Sequence, residues 1–353
     1  MQPRHTVGPP QEPSTPDQPL SERLPLTLPE PRGPLSEWVL ACLRHGVASD
    51  RCPHVADDAR DIDGLGEDAQ LALYLCYELH FGDLPGVPAS MEWNPRLIEL
   101  RLLLEASMER QLRRLVQRRR ANADVARQIT NLVEADTGPS ISRFMEEVGE
   151  LEQMREFVIH RAAYQRKEGD GHTFAIPRVG GRAKQLLVQI QSGEYGADEA
   201  DREIHAQLFA NTMEALGLDS RTNAYLDRQP GAALAISNLI SMFGLNRRWR
   251  GALLGHLAVF ETTSVQPMGR YARALRRMGA PEVAARFYDV HVLADAEHEV
   301  MVMDAVRELV AAEPSCAQDV IFGAQCALAV ETRFAEGLLS MWRARRASDG
   351  IAA

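Results

Sequence analysis

From Leu35 onward, apolar residues recur every three to four positions along most of the chain, the spacing that gathers them on one face of an α-helix. GEDAQLALYLCYELHF (66–81) reads as an apolar-rich helix ending near Gly82. In NPRLIELRLLLEASMERQLRRLVQRR (94–119), Asn94 supplies an N-cap and Pro95 the first helical position, and Leu97, Ile98, Leu102 and Leu104 keep the helical spacing. The pattern predicts one long helix over 140–167. KEGDGHTFAIPRVGG (167–181) then interrupts it with four glycines and a proline. Further helices are predicted over 182–196, 198–218, 232–245 and 247–264, with a short one around 269–277. PEVAARFYDVHVLADAEHEVMVMDAVRELVAA (281–312) begins with a proline suited to a first turn, and 316–345 is the last helix. No period-2 run bounded by hairpin turns stands out, and no repeat of fixed length.

These elements predict an all-α architecture: a helical bundle over 136–346 with an N-terminal helical extension over 35–135. Residues 1–34 hold ten of the twenty prolines and too few apolar residues for a core, so they are expected to form a disordered tail.

Composition narrows the function classes. The net charge of −10 argues against a nucleic-acid-binding surface, which needs dense positive charge. The basic run LRRLVQRRR (112–120) shares its helix with Glu105 and Glu109 and reads as a solvated face. No apolar run approaches the roughly 20 residues that span a bilayer, and no charged-then-apolar leader opens the chain. The cysteines, Cys42, Cys52, Cys76, Cys316 and Cys326, are odd in number and widely spaced, which fits reduced thiols and a cytoplasmic location. GxSxG, Walker and strand-borne GxGxxG signals are missing, so hydrolase, NTPase and nicotinamide chemistry find no support.

One octet carries candidate chemistry. HVLADAEH (291–298) places Asp295 about 40° and His298 about 20° from His291 around a helix, over about 10 Å of its axis. Imidazole and carboxylate together suit iron, manganese or zinc, although a solvated helix face carries the same residue types. A centre would need partners from other helices. Glu261 ends an apolar run, where it is either a charge reaching solvent or a buried ligand. His205 lies among core-facing Leu208, Phe209 and Met213, where a hydrogen-bonded core histidine is the plainer alternative. Glu194 stands where a helix meets Gly196.

Taken in order, GEYG (193–196), IHAQLF (204–209), FE (260–261) and HVLADAEH resemble the haem-oxygenase-like di-iron oxidases. The likeness is strongest to the branch called iron-containing redox enzymes and covers roughly residues 140–345. It implies a haem-oxygenase-like helical bundle and a metal set of Glu194, His205, Glu261, His291, Asp295 and His298. It also implies two Fe(II) ions as cofactor, O₂ as co-substrate and a small organic substrate that is N-oxygenated, desaturated or cleaved at a C–C bond. Three carboxylates against two ferrous ions leave a centre near neutrality, as burial requires.

Glu194 and His205 are eleven residues apart, about 16 Å on a continuous helix, too far for one cluster. A break at Gly196 would shorten the gap; Asp198, seven residues before His205, is the alternative carboxylate. Other signals read as structural or as neighbours of the site. Glu78 and His80 face opposite ways on their helix, His256 packs, Asp289 and Glu299 either orient ligands or are solvated, and His172 and Arg178 sit in a connector that could border a substrate mouth. The expected partner is a small molecule, with no nucleic acid and no membrane, and a homodimer through the 35–135 helices stays open. Two other classes also stay open: a metal-free thiaminase-like or cofactor-maturing protein, and a non-enzymatic helical partner-binding protein.

Overall fold

The computed structural model describes residues 25–46, 52, 61–82, 84–117, 119–197 and 203–351. These residues form helices without a single strand. In chain order the α-helices are α1 (Pro34–His45), α2 (Glu67–Glu78), α3 (Pro95–Leu115), α4 (Val125–Glu134), α5 (Ile141–Glu147), α6 (Leu151–Gln165), α7 (Asp170–Thr173), α8 (Gly181–Glu194), α9 (His205–Ala215), α10 (Gly231–Leu245), α11 (Arg250–Arg277), α12 (Glu282–Ala312) and α13 (Ala317–Ile351).

The centre of the bundle is α11, packed along both α12 and α13. The first half of α11 is buried on all sides, and small residues let it approach α13 at backbone distance. A Cβ added at Gly255 would lie 1.9 Å from the Val320 carbonyl oxygen, and one at Gly323 would lie 2.0 Å from that of Ala252. Helix α10 is buried almost throughout, as its near-unbroken apolar sequence requires.

The helices N-terminal to residue 135 do not stand apart. Every residue of α2 from Ala69 to Glu78 is buried, and α2 packs on α10 within one continuous hydrophobic core. Residues 1–24 of the proline-rich stretch lie outside the described residues. Residues 25–33 run along the bundle without helical structure: Leu28 packs on the core, the Glu30 amide donates to Asp227 Oδ1 at 2.8 Å, and Arg32 pairs with Glu67.

Two predicted boundaries move. The helix expected over 140–167 is two, because α6 starts afresh from a capping box made by Glu150 and Gln153, with Gly149 pressed against Met145. The helices expected over 247–264 and 269–277 are one, with Pro267 inside it. A proline deletes one backbone hydrogen bond, but the packing of α11 on α12 holds both sides of it in line. No helix of the described residues is long and apolar enough to cross a membrane.

Candidate metal centre

Helix α12 brings three candidate residues to the interior on one face: His291, Asp295 and His298 are all buried, while Leu293 and Val300 on the opposite face are exposed. Across from them, α11 supplies buried Glu261. The other contributors stand at helix ends. Glu194 is the last residue of α8 and His205 the first of α9. Between them the chain turns through Gly196, whose φ of 62° is the left-handed conformation glycine adopts without steric cost. This break removes the eleven-residue gap: His205 Nδ1 lies 2.9 Å from Glu194 Oε2. Asp198, the alternative carboxylate, lies outside the described residues.

A further carboxylate joins them. Glu168 follows α6 in the glycine-rich turn and is buried, its Oε2 3.4 Å from His291 Nε2. Gly169 beside it has φ 87°, and a Cβ there would meet the Cβ of Glu194 at 3.2 Å. The turn therefore lies directly against α8 and sets Glu168 next to Glu194. The sequence analysis did not single Glu168 out; its one local signal is the glycine that follows it.

The side chains form two groups, in each of which the ligand atoms lie within 4.8 Å of one another: Glu168, Glu194, His205 and His291, and Glu194, Glu261 and His298. Glu194 belongs to both. His298 Nδ1 spans its Oε1 at 3.3 Å and Glu261 Oε2 at 3.5 Å. Five of the six residues singled out in the sequence thus come together. Asp295 is buried beside them but outside both groups, with its carboxylate facing Ser264.

Electrostatics follow from this crowding. Burial alone would raise Glu194, but the imidazoles of His205, His298 and His291 outweigh it and hold the carboxyl below its usual range. Burial pushes Glu261 up, only partly offset by His298, and likewise Asp295, partly offset by His291. Burial would lower His291 and His298, yet Glu168 for the first and Glu194 with Glu261 for the second raise both well above an ordinary histidine. Protons are shared among these groups where cations would otherwise balance the carboxylates.

The residues fit a metal. Glu168 Oε2, His291 Nε2 and His298 Nδ1 are buried with no well-formed hydrogen bond, their neighbours being the facing ligand atoms of the cluster at 3.3–3.5 Å. Such atoms are costly unless something binds them. His291 Nδ1 lies 2.7 Å from the Phe287 carbonyl oxygen, an acceptor, so this nitrogen carries the proton and leaves Nε2 to ligate. Tyr164 Oη donates to Glu168 Oε1 at 3.3 Å, which holds that carboxylate with Oε2 toward the cluster. Counting Asp295, four carboxylates would balance two divalent ions.

Neighbouring signals resolve as well. Asp289 forms an exposed ion pair with Arg276. His256 lies 3.1 Å from His172, which borders the cavity beside the cluster. Arg178 caps the C-terminal carbonyls of α10. Glu78 pairs with Lys167, and His80 lies between Glu92 and Arg101.

Fold and site together define a helical-bundle protein with a buried cluster of carboxylates and histidines able to hold metal. Residues 155–332 match the sequence model of one family, described as iron-containing redox enzymes, and the chain belongs to that family. The match spans every residue of both groups. No curated protein matches the chain.

Proposed function

We propose that this protein is an O₂-dependent, non-haem di-iron oxidase or oxygenase acting on a small organic substrate. The observation that carries the reading is the pair of ligand groups joined by Glu194. Glu168, Glu194, His205 and His291 would hold one ion, and Glu194, Glu261 and His298 the other. Two ferrous ions held there would supply electrons for the reduction of O₂. A cavity of about 280 Å³ borders Glu168, Glu194, Glu261 and His291, at the small end for ligand sites. Phe157, Tyr164, Leu257, Phe260, Tyr271 and Phe334 give it a largely apolar wall. The substrate would be oxygenated at nitrogen, desaturated or cleaved at a C–C bond, as the resemblance implies.

Anaerobic ferrous titration followed by exposure to O₂ tests the proposal. Two irons per chain and O₂ consumption that depends on them are expected. A chain that takes up no more than trace iron, or that holds iron without consuming O₂ in the presence of any small-molecule substrate pool, overturns it.

A further inference from the structure

The turn that carries Glu168 is fastened on both sides of that residue, to two different helices. Lys167, the residue before it, pairs through its ammonium with Glu78, the last residue of α2. The same ammonium donates to Tyr74 Oη at 3.3 Å, one turn earlier on α2. Tyr74 Oη donates in its turn to Asn223 Oδ1 at 2.8 Å, and Asn223 Nδ2 donates to Glu78 Oε2 at 2.7 Å, so four side chains close a ring of polar contacts. The rings of Tyr74 and Phe81 lie over the ammonium, with centroids 4.5 and 5.0 Å away. On the other side of Glu168, Asp170 Oδ1 accepts from Tyr195 Oη at 2.8 Å. Tyr195 is the residue directly after Glu194.

Glu168 and Glu194 share one ligand group, and two carboxylates brought so close repel each other until cations separate them. Something must therefore hold the Glu168 turn against α8. The backbone bonds of the turn are local: the amides of Lys167 and Asp170 donate to Tyr164 and Lys167 within the same stretch. Side chains make the ties to other elements, Lys167 to α2 and Asp170 to the residue that ends α8. Residues that orient a ligand in this way act on a metal without touching it. The α2 tie also brings in residues from outside the family match, which begins at residue 155.

We propose that Glu78 and Tyr195 are positioning residues of the metal centre: through Lys167 and Asp170 they hold Glu168 beside Glu194 and His291, where the group of four takes its ion. Helix α2 then serves the centre as well as the core. The inference rests on the cluster being a metal site, as the oxidase reading does, but not on the reaction carried out there.

Anaerobic Fe(II) titration of the full chain tests it in two backgrounds. His298→Ala leaves the group of Glu168, Glu194, His205 and His291 to be measured, and His205→Ala leaves Glu194, Glu261 and His298. In the first background Tyr195→Phe, which deletes one hydroxyl, should weaken Fe(II) binding about tenfold, the lower end of what losing a ligand-orienting residue costs. Glu78→Gln combined with Lys167→Met removes both charges together, so neither is left buried alone, and should give a loss of about the same size with the melting temperature retained. In the second background both changes should leave affinity within about threefold, below one hydrogen bond's worth. A purely structural role would lower both sites alike, or the melting temperature alone. Amide exchange in the metal-free chain gives a readout without iron: Asp170 and Thr173 should exchange at least about tenfold faster in both variants, with α12 unchanged. Unchanged affinity of the Glu168 group in both variants, equal losses in the two backgrounds, or native exchange at Asp170 and Thr173 overturns the inference. Native uptake of two irons with O₂ consumption, but no loss in the variants, overturns it and spares the oxidase reading. The expected losses in a chain that binds iron without consuming O₂ do the reverse, and a native chain that takes up no iron overturns both.

Discussion

Helix α12 and the two glycine turns build the same centre by opposite means. On α12, His291 and His298 sit on one face of an uninterrupted helix, and the helical repeat alone brings them to the interior. Glu168, Glu194 and His205 stand at or just beyond helix ends, and Gly169 and Gly196 turn the chain so that they meet. The helix supplies a rail that would survive many changes of sequence. The turns supply the residue common to both ligand groups, and they depend on backbone conformations that few residues adopt. The cluster's most connected member is therefore held by its most sequence-sensitive backbone.

The sharpest way to break this comparison is to remove one residue from each side. Glu194→Ala should abolish uptake of both ferrous ions in an anaerobic titration, whereas His298→Ala should leave one ion bound by Glu168, Glu194, His205 and His291. Equal losses in the two variants would mean that Glu194 is not shared.

Buried histidines sharpen the contrast next, because His160, outside the cluster, shifts in the opposite direction to His291 and His298 within it. His160 is buried beside Phe334, and burial pushes it down to about 4, with Glu156 only partly offsetting the loss of water. Its folded value lies below the unfolded 6.5, so between those limits the unfolded chain takes up a proton that the folded chain does not. Stability from this group is full above pH 6.5, falls as pH drops toward about 4 and is level below that. The loss is about 3 kcal/mol at most. In metal-free protein, His160→Gln should flatten the fall of chemical-denaturation stability across that window. An unchanged slope would place the acid sensitivity elsewhere.

Gly169→Ala comes third. It forces a side chain into φ 87° and against Glu194, and should cost about 1–2 kcal/mol of stability. It should also weaken iron binding at the group containing Glu168, while a change to alanine at exposed Leu293 on the α12 rail does neither. The smallest effect is expected from Asp295→Asn. Asp295 lies outside both groups, so the group containing Glu168 should keep its affinity for the first ion within about threefold, below one hydrogen bond's worth. A complete loss of the first ion would place Asp295 among its ligands.

The shared inward face of His291, Asp295 and His298 on α12 was legible because helical periodicity is a local property, and eight consecutive residues display it; the place of Asp295 outside both ligand groups was not. Glu261 was legible for a related reason: a carboxylate in an apolar run is anomalous on its own helix. Glu168 was not, since a charge beside a glycine at a helix end is what a solvated terminus looks like. The helix break at Gly149 and the continuity through Pro267 escaped for the same cause. A capping box can end one helix and start another, and tertiary packing can carry a helix past a proline, without either changing the average periodicity.

What the amino-acid sequence determined by itself was the all-α class, the helical faces and the residue types able to hold iron, because each depends on neighbours within a turn or two. Only the tertiary structure decided that Glu194 reaches both ligand groups, that Glu168 joins them and that Asp295 faces Ser264 beside them. These outcomes depend on where separate helices end and how closely two turns approach, and such distances are set by the packing of the whole bundle.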